Sequence, residues 1–132
     1  MRAVPAKQVR AWCAEWGRLL QLSDWQVEVY CERKARVKSG SNKVLAFVEY
    51  DWETRRARVS VATCRPAEEV RMSCLHEMLH LASQDLEQAG NLAAQAVPDE
   101  KCREVLASHV SQSAERLVHR LERAIKVLLE ES

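Results

Sequence analysis

No stretch of this 132-residue chain approaches the ~18 consecutive apolar residues of a membrane span, so a helical membrane protein is excluded. The opening run Met1-Arg2-Ala3-Val4-Pro5-Ala6-Lys7-Gln8 lacks the apolar core of a secretory signal, and an intracellular, cytoplasmic protein is expected. The five cysteines are odd in number and none sits in a Cys-x-x-Cys pair, which argues against a zinc ribbon or finger. They read mostly as small buried apolar residues, with Cys64 and Cys74, which fall near the motif described below, the two that could offer a spare metal ligand. Internal repeats and low-complexity tracts are also missing. What is present is globular in balance: 47% apolar and 30% charged residues, in a length that suits one domain, 1–132, with a modest core.

Net charge is only +1, but its distribution is uneven. Residues 1–60 hold 12 Lys/Arg against 7 Asp/Glu, whereas residues 61–132 hold 8 against 12. Much of the excess lies in Arg33, Lys34, Arg36, Lys38 and Lys43, and in Arg55, Arg56 and Arg58. Such a cluster is one mark of a nucleic-acid footprint. No aromatic residues are interleaved for base stacking, so the reading is a solvated loop and hairpin tip, with nucleic acid not expected as a partner.

The most informative stretch is Cys74-Leu75-His76-Glu77-Met78-Leu79-His80-Leu81. It contains His-Glu-x-x-His. On a helix, residues four apart share one face, so His76 and His80 can grip one metal ion. Glu77 sits beside them, able to polarise a metal-bound water. The surrounding residues are apolar on almost every side, which predicts a buried helix. A charged Glu inside such a helix is costly unless paired or metal-bound.

Around this motif the elements can be read in order. Pro5 to about Leu20 is predicted helical from Val9, Trp12, Cys13, Trp16, Leu19 and Leu20. Trp25 to Cys31 alternates as a half-buried strand does. A polar basic loop follows, turning at Ser39-Gly40-Ser41-Asn42. Val44 to Tyr50 and Arg56 to Ala62 are the next two strands, joined by a turn that lacks the glycine of a tight hairpin. Pro66 opens the motif helix, expected to run to about Gln88 and stop at Ala89-Gly90. Asn91 to Pro98 is a connector, and Asp99-Glu100 starts a long helix to about Glu130. The expected class is α+β: an N-terminal helix, a small three-stranded antiparallel sheet, the motif helix and a long C-terminal helix, with helices on one sheet face.

With these residues in place the chain resembles a zincin metallopeptidase, and more narrowly the minimal single-domain forms called minigluzincins, including phage- and prophage-encoded metallopeptidases. The matching pieces are Trp25-Gln26-Val27, the strands, His76-Glu77-Met78-Leu79-His80-Leu81 and, more loosely, Glu115-Arg116-Leu117-Val118-His119-Arg120-Leu121. The resemblance covers nearly the whole chain in order and type of element. It implies a zinc-dependent endopeptidase acting on a protein or peptide, with His76 and His80 as zinc ligands, Glu77 as general base and Glu115 as third ligand. No further histidine motif follows His80, so the metzincin branch does not fit. A second electrophile is usual in the family; Tyr50, His109 and His119 are the candidates. Related enzymes bind an extended peptide at a sheet edge, here within 44–50 or 56–62.

Helical geometry leaves the third ligand open. Ala114, Leu117, Val118, Leu121, Ile125 and Leu128 form the apolar face of the last helix, and Glu115 lies about 100° from its centre. Glu104 and Glu122 share nearly that angle, and His119, the alternative ligand, lies roughly 40° beyond it. Other readings of the whole chain are a protease that cuts a repressor, a protease of DNA-bound proteins like the SprT-like group, and a non-catalytic zinc module.

Overall fold

The computed structural model of the chain describes residues 2–131. Residues 1–81 and 82–132 form two compact units. The first contains helix α1 (Ala6–Leu19), strands β1 (Gln26–Glu32), β2 (Val37–Ser39), β3 (Asn42–Val44), β4 (Ala46–Asp51) and β5 (Arg56–Ala62), and helix α2 (Ala67–Ala82), whose last residue reaches the second unit. The second unit is a helical hairpin, α3 (Gln84–Gln95) and α4 (Glu100–Glu131). The class is α+β, with a helix at each end. Among the described residues no helix is long and apolar enough to cross a membrane.

Pro5 precedes α1 with φ −60° and ψ 140°, a conformation its ring favours just outside a helix. Val9, Cys13 and Trp16 form the buried stripe, at the spacing the sequence implies. The helix ends on Gln21 at φ 58°, and the Leu22 N–H then reaches back to the Gly17 carbonyl at 2.8 Å. This is the left-handed helix stop that glycine usually provides.

The three-stranded sheet has the order β1-β5-β4 and is mixed, not antiparallel as expected. β1 runs parallel to β5 with Val29 opposite Val59, and β4 runs antiparallel to β5 with Val48 opposite Val59. Alternation of apolar and polar residues is the same whichever way a strand runs, so the pattern carried no directional signal. β5 takes the centre, and there Ala57, Val59, Ser60, Val61 and Ala62 are all buried, as residues of a strand paired on both sides can be. Chain 33–55 supplies the long connection that a parallel pair requires. With β5 central, the free edges of the sheet are β1 and β4; the 56–62 segment is not an edge.

The basic loop expected after β1 contains a two-stranded ribbon, β2 against β3, around Gly40 at φ 62°. The glycine-free turn between β4 and β5 closes differently. Asp51 Oδ1 accepts from the Glu53 and Thr54 N–H groups at 3.0 and 3.3 Å, and Arg55 takes φ 57°. Arg55 lies 3.7 Å from the Trp52 ring centroid and 5.3 Å from that of Trp25, and pairs with Asp24 at 3.5 Å. These contacts hold a residue with a Cβ in a conformation costing roughly 1–2 kcal/mol.

Between β5 and α2 lies Arg65, 6% exposed. Its guanidinium donates to the carbonyls of Ala62 at 3.0 Å and Leu45 at 3.3 Å, tying the end of β5 to the approach of β4 just before α2 begins. Burial lowers its pKa from the usual arginine value. Glu68 and Glu69 occupy the first turn of α2, where a carboxylate complements the positive helix end.

The motif helix stops at Ala82, not near Gln88, and Gly90 lies inside the separate helix α3. A Cβ on Gly90 would meet the two γ-methyls of Val110 at 2.8 and 3.0 Å. This glycine lets α3 approach α4 and does not end a helix. At the start of α4, Asp99 Oδ1 accepts from the Cys102 N–H at 3.0 Å, an N-cap.

Candidate metal centre

α2 is apolar on nearly every side: Val70, Met72, Cys74, Leu75, Met78, Leu79 and Leu81 are all buried. It is packed closely by α1, since a Cβ on Gly17 would lie 3.3 Å from Met78 Cε. Cys13 of α1 and Cys74 of α2 are 2% and 0% exposed. The Cys74 thiol is pushed far above the ordinary range, first by its hydrogen bond with Cys13, then by burial. Burial also raises Cys31, with Cys13 adding to the effect. Cys13 and Cys74 are the buried apolar residues the sequence suggested, whereas Cys31 and Cys64 are half-buried and Cys102 is exposed. A protonated, buried thiol is a poor metal ligand.

Against this packed background the two histidines are only half-buried. One helical turn apart, they bring His76 Nε2 and His80 Nε2 to 3.2 Å, with ring centroids 4.8 Å apart and planes at 74°. A tetrahedral zinc ion with Zn–N bonds of ~2.0–2.1 Å holds two nitrogens about 3.3–3.4 Å apart. The observed separation is close to that spacing, and it is also that of a hydrogen bond between the two rings. Glu77, between them in sequence, is 6% exposed. A carboxylate so far from water is stable as an anion only beside compensating charge or hydrogen-bond donors.

Glu115 lies on α4, and its Oε1 is 3.1 Å from His119 Nε2, an i,i+4 pair with both side chains about half exposed. One carboxylate oxygen is thus engaged by an imidazole while the carboxylate retains further acceptor capacity. A carboxylate oxygen of Glu122 lies within 4.8 Å of a His119 ring nitrogen, making Glu115, His119 and Glu122 one cluster on one side of α4. The helical wheel distinguished Glu122 from Glu115 only by height; its proximity to His119 needed side-chain conformation. Glu104 is exposed.

Tyr50 belongs to an aromatic cluster, edge-on to Trp25 with ring centroids 6.2 Å apart. His109 lines an apolar cavity of about 250 Å³ between α3 and α4, with Leu86, Val110 and Leu117. Compared with family models, curated proteins and solved structures, the chain finds no match.

Proposed function

We propose that this chain is a zinc-dependent metallopeptidase of the minimal zincin type, cleaving peptide bonds in a protein or peptide substrate in the cytoplasm. The observation that carries the reading is the 3.2 Å approach of the two Nε2 atoms on one face of α2, beside a glutamate only 6% exposed. His76 and His80 hold the ion in this reading. Glu115 would be the third protein ligand, as the resemblance of its segment to the family's glutamate helix implies. Bound zinc supplies a Lewis acid that acidifies a coordinated water and polarises a carbonyl oxygen.

The chain's own groups do the proton work. A Glu77 carboxylate oxygen takes the proton of the attacking water and returns it to the nitrogen of the leaving amine. Its burial excludes bulk water from that exchange and strengthens every charge interaction it makes. His119, bonded to Glu115 Oε1, orients that carboxylate, as partners behind metal ligands do. The free edge of β4 suits an extended substrate, which would add as a further strand through main-chain hydrogen bonds.

The test is elemental analysis combined with hydrolysis of a peptide library. Wild-type protein is expected to carry about one zinc per chain and to cleave. Glu77→Gln should keep its zinc and its fold while cleavage falls by ~10²–10⁴-fold. Equal cleavage by both proteins would remove Glu77 from the mechanism. Zinc binding with no cleavage by wild type would favour a structural zinc module.

A further inference from the structure

Residues 33–43 carry Arg33, Lys34, Arg36, Lys38 and Lys43 and no acidic side chain. The β2–β3 ribbon organises the last two. Val37 is 1% exposed and faces the half-buried Val44, which anchors one face of the ribbon. Alternation sends Lys38 and Lys43 to the other face, and the register sets them directly opposite each other. Opposed residues on an antiparallel pair have Cβ atoms ~4.5–5.5 Å apart, and like charges there repel. Among the described residues no carboxylate pairs with Arg36, Lys38 or Lys43. Lys34 has Glu32 at 3.9 Å, an exposed pair of little energetic weight.

The backbone beneath these cations is pinned. The Lys34 N–H donates to the Glu32 carbonyl at 2.8 Å, and the Lys34 carbonyl accepts from Cys64 N–H at 3.0 Å. Thr63 binds the Glu32 carbonyl through both its N–H at 2.9 Å and its hydroxyl at 3.0 Å. Lys34, Arg36, Lys38 and Lys43 are thereby held, against their own repulsion, around a concavity of about 480 Å³ whose one acidic lining residue is Glu32.

We propose that this concavity is a binding site for a chain of adjacent phosphate groups, an activity independent of the peptidase reading. Each phosphate in such a chain carries at least one negative charge and two unbridged acceptor oxygens, so one group can accept from both Lys38 and Lys43. Successive phosphates of an oligophosphate share a bridging oxygen, whereas same-side carboxylates on an extended peptide stand ~6.6–6.8 Å apart, too far to crowd onto one opposed pair. Arg36 adds a planar fork matched to phosphate oxygens. No aromatic residue lies in 31–46, so phosphates are held without base stacking, and binding is insensitive to sequence and sensitive to salt.

Free oligophosphate and a nucleic-acid backbone offer this same chemistry, and the experiment separates them. The full chain is titrated with sodium tripolyphosphate by calorimetry, and with a fluorescein-labelled DNA duplex by anisotropy. Four phosphate contacts predict a duplex affinity that falls ~150-fold between about 50 and about 200 mM salt. Lys38→Gln/Lys43→Gln removes two contacts and should reduce that fall to ~12-fold. Arg116→Gln/Arg123→Gln makes the same net-charge change on α4 and should leave the salt dependence unaltered. Because the opposed lysines repel, the ribbon variant should melt no lower than wild type. Tripolyphosphate binding alone identifies free oligophosphate as the ligand; duplex binding displaced by tripolyphosphate identifies the backbone. The proposal is overturned by no binding of either probe at about 50 mM salt. It is equally overturned by identical salt dependence in the two variants, or by displacement with decaglutamate as effective as with tripolyphosphate. Peptide hydrolysis enters none of these readouts.

Discussion

Replacing Gly90 by alanine tests the packing of α3 on α4, the helix that carries Glu115. In an unobstructed helix interior, Gly→Ala stabilises by about 1 kcal/mol. Here the new methyl would sit 2.8 and 3.0 Å from the two γ-methyls of Val110, well inside van der Waals contact. Val110 is β-branched and helical, so it has one strongly preferred χ1 rotamer and cannot swing aside. The helices must separate or Val110 must leave its rotamer, and such overpacking costs ~1–3 kcal/mol. The two effects together predict a net destabilisation of about 1 kcal/mol for Gly90→Ala. Val110→Ala alone loses two half-buried methyls and should also destabilise by about 1 kcal/mol. In the double variant the clash is absent and the helix-forming gain of alanine is released. The double variant should therefore be more stable than the sum of the single changes by roughly 2 kcal/mol. Urea unfolding of the four proteins measures this coupling. Additive effects, or a Gly90→Ala protein more stable than wild type, would refute the close approach of α3 to α4.

For the metal centre, Glu115→Ala is expected to weaken zinc binding strongly, and Glu104→Ala to leave it unchanged. His119→Ala should produce an intermediate loss, because it removes only the partner of Glu115; full loss with His119→Ala and none with Glu115→Ala would assign the ligand to histidine. Gln21→Gly should raise stability by ~0.5–1 kcal/mol in thermal or urea unfolding, since glycine enters the left-handed region without the cost of a Cβ. Arg55→Gly, at a similar φ of 57°, should instead lower stability, because it also removes the stacking on Trp25 and Trp52. Alkylation of the native protein should modify exposed Cys102 first, leaving Cys13 and Cys74 protected until unfolding, as mass spectrometry can count. The raised pKa of Cys31 has a stability consequence of definite sign. Above about pH 9 the unfolded chain loses that proton before the folded one does, so stability should fall as pH rises, and Cys31→Ala should flatten that decline.

Much of this protein is written in local pattern. Val9, Cys13 and Trp16 place a helix, and Ala57, Val59 and Val61 place a strand, because burial of one face imposes periods of 3.6 and 2 on the residues themselves. His76 and His80 share a face for the same reason, whatever surrounds them. Tertiary structure alone decided the rest. Strand direction was invisible because alternation reads the same both ways, so the parallel β1–β5 pair follows only from the place of β5 between β1 and β4. Gly90 carried the local signature of a helix stop, and its actual role is set by Val110, twenty residues away. Arg65 gave no local sign that it would be buried, because the carbonyls it satisfies belong to Ala62 and Leu45, and Leu45 is distant in sequence. Lys38 and Lys43 read as two charges in a loop until the ribbon register set them face to face. A period can be read from one chain, but a partner across space cannot, because its position depends on how every intervening residue is packed.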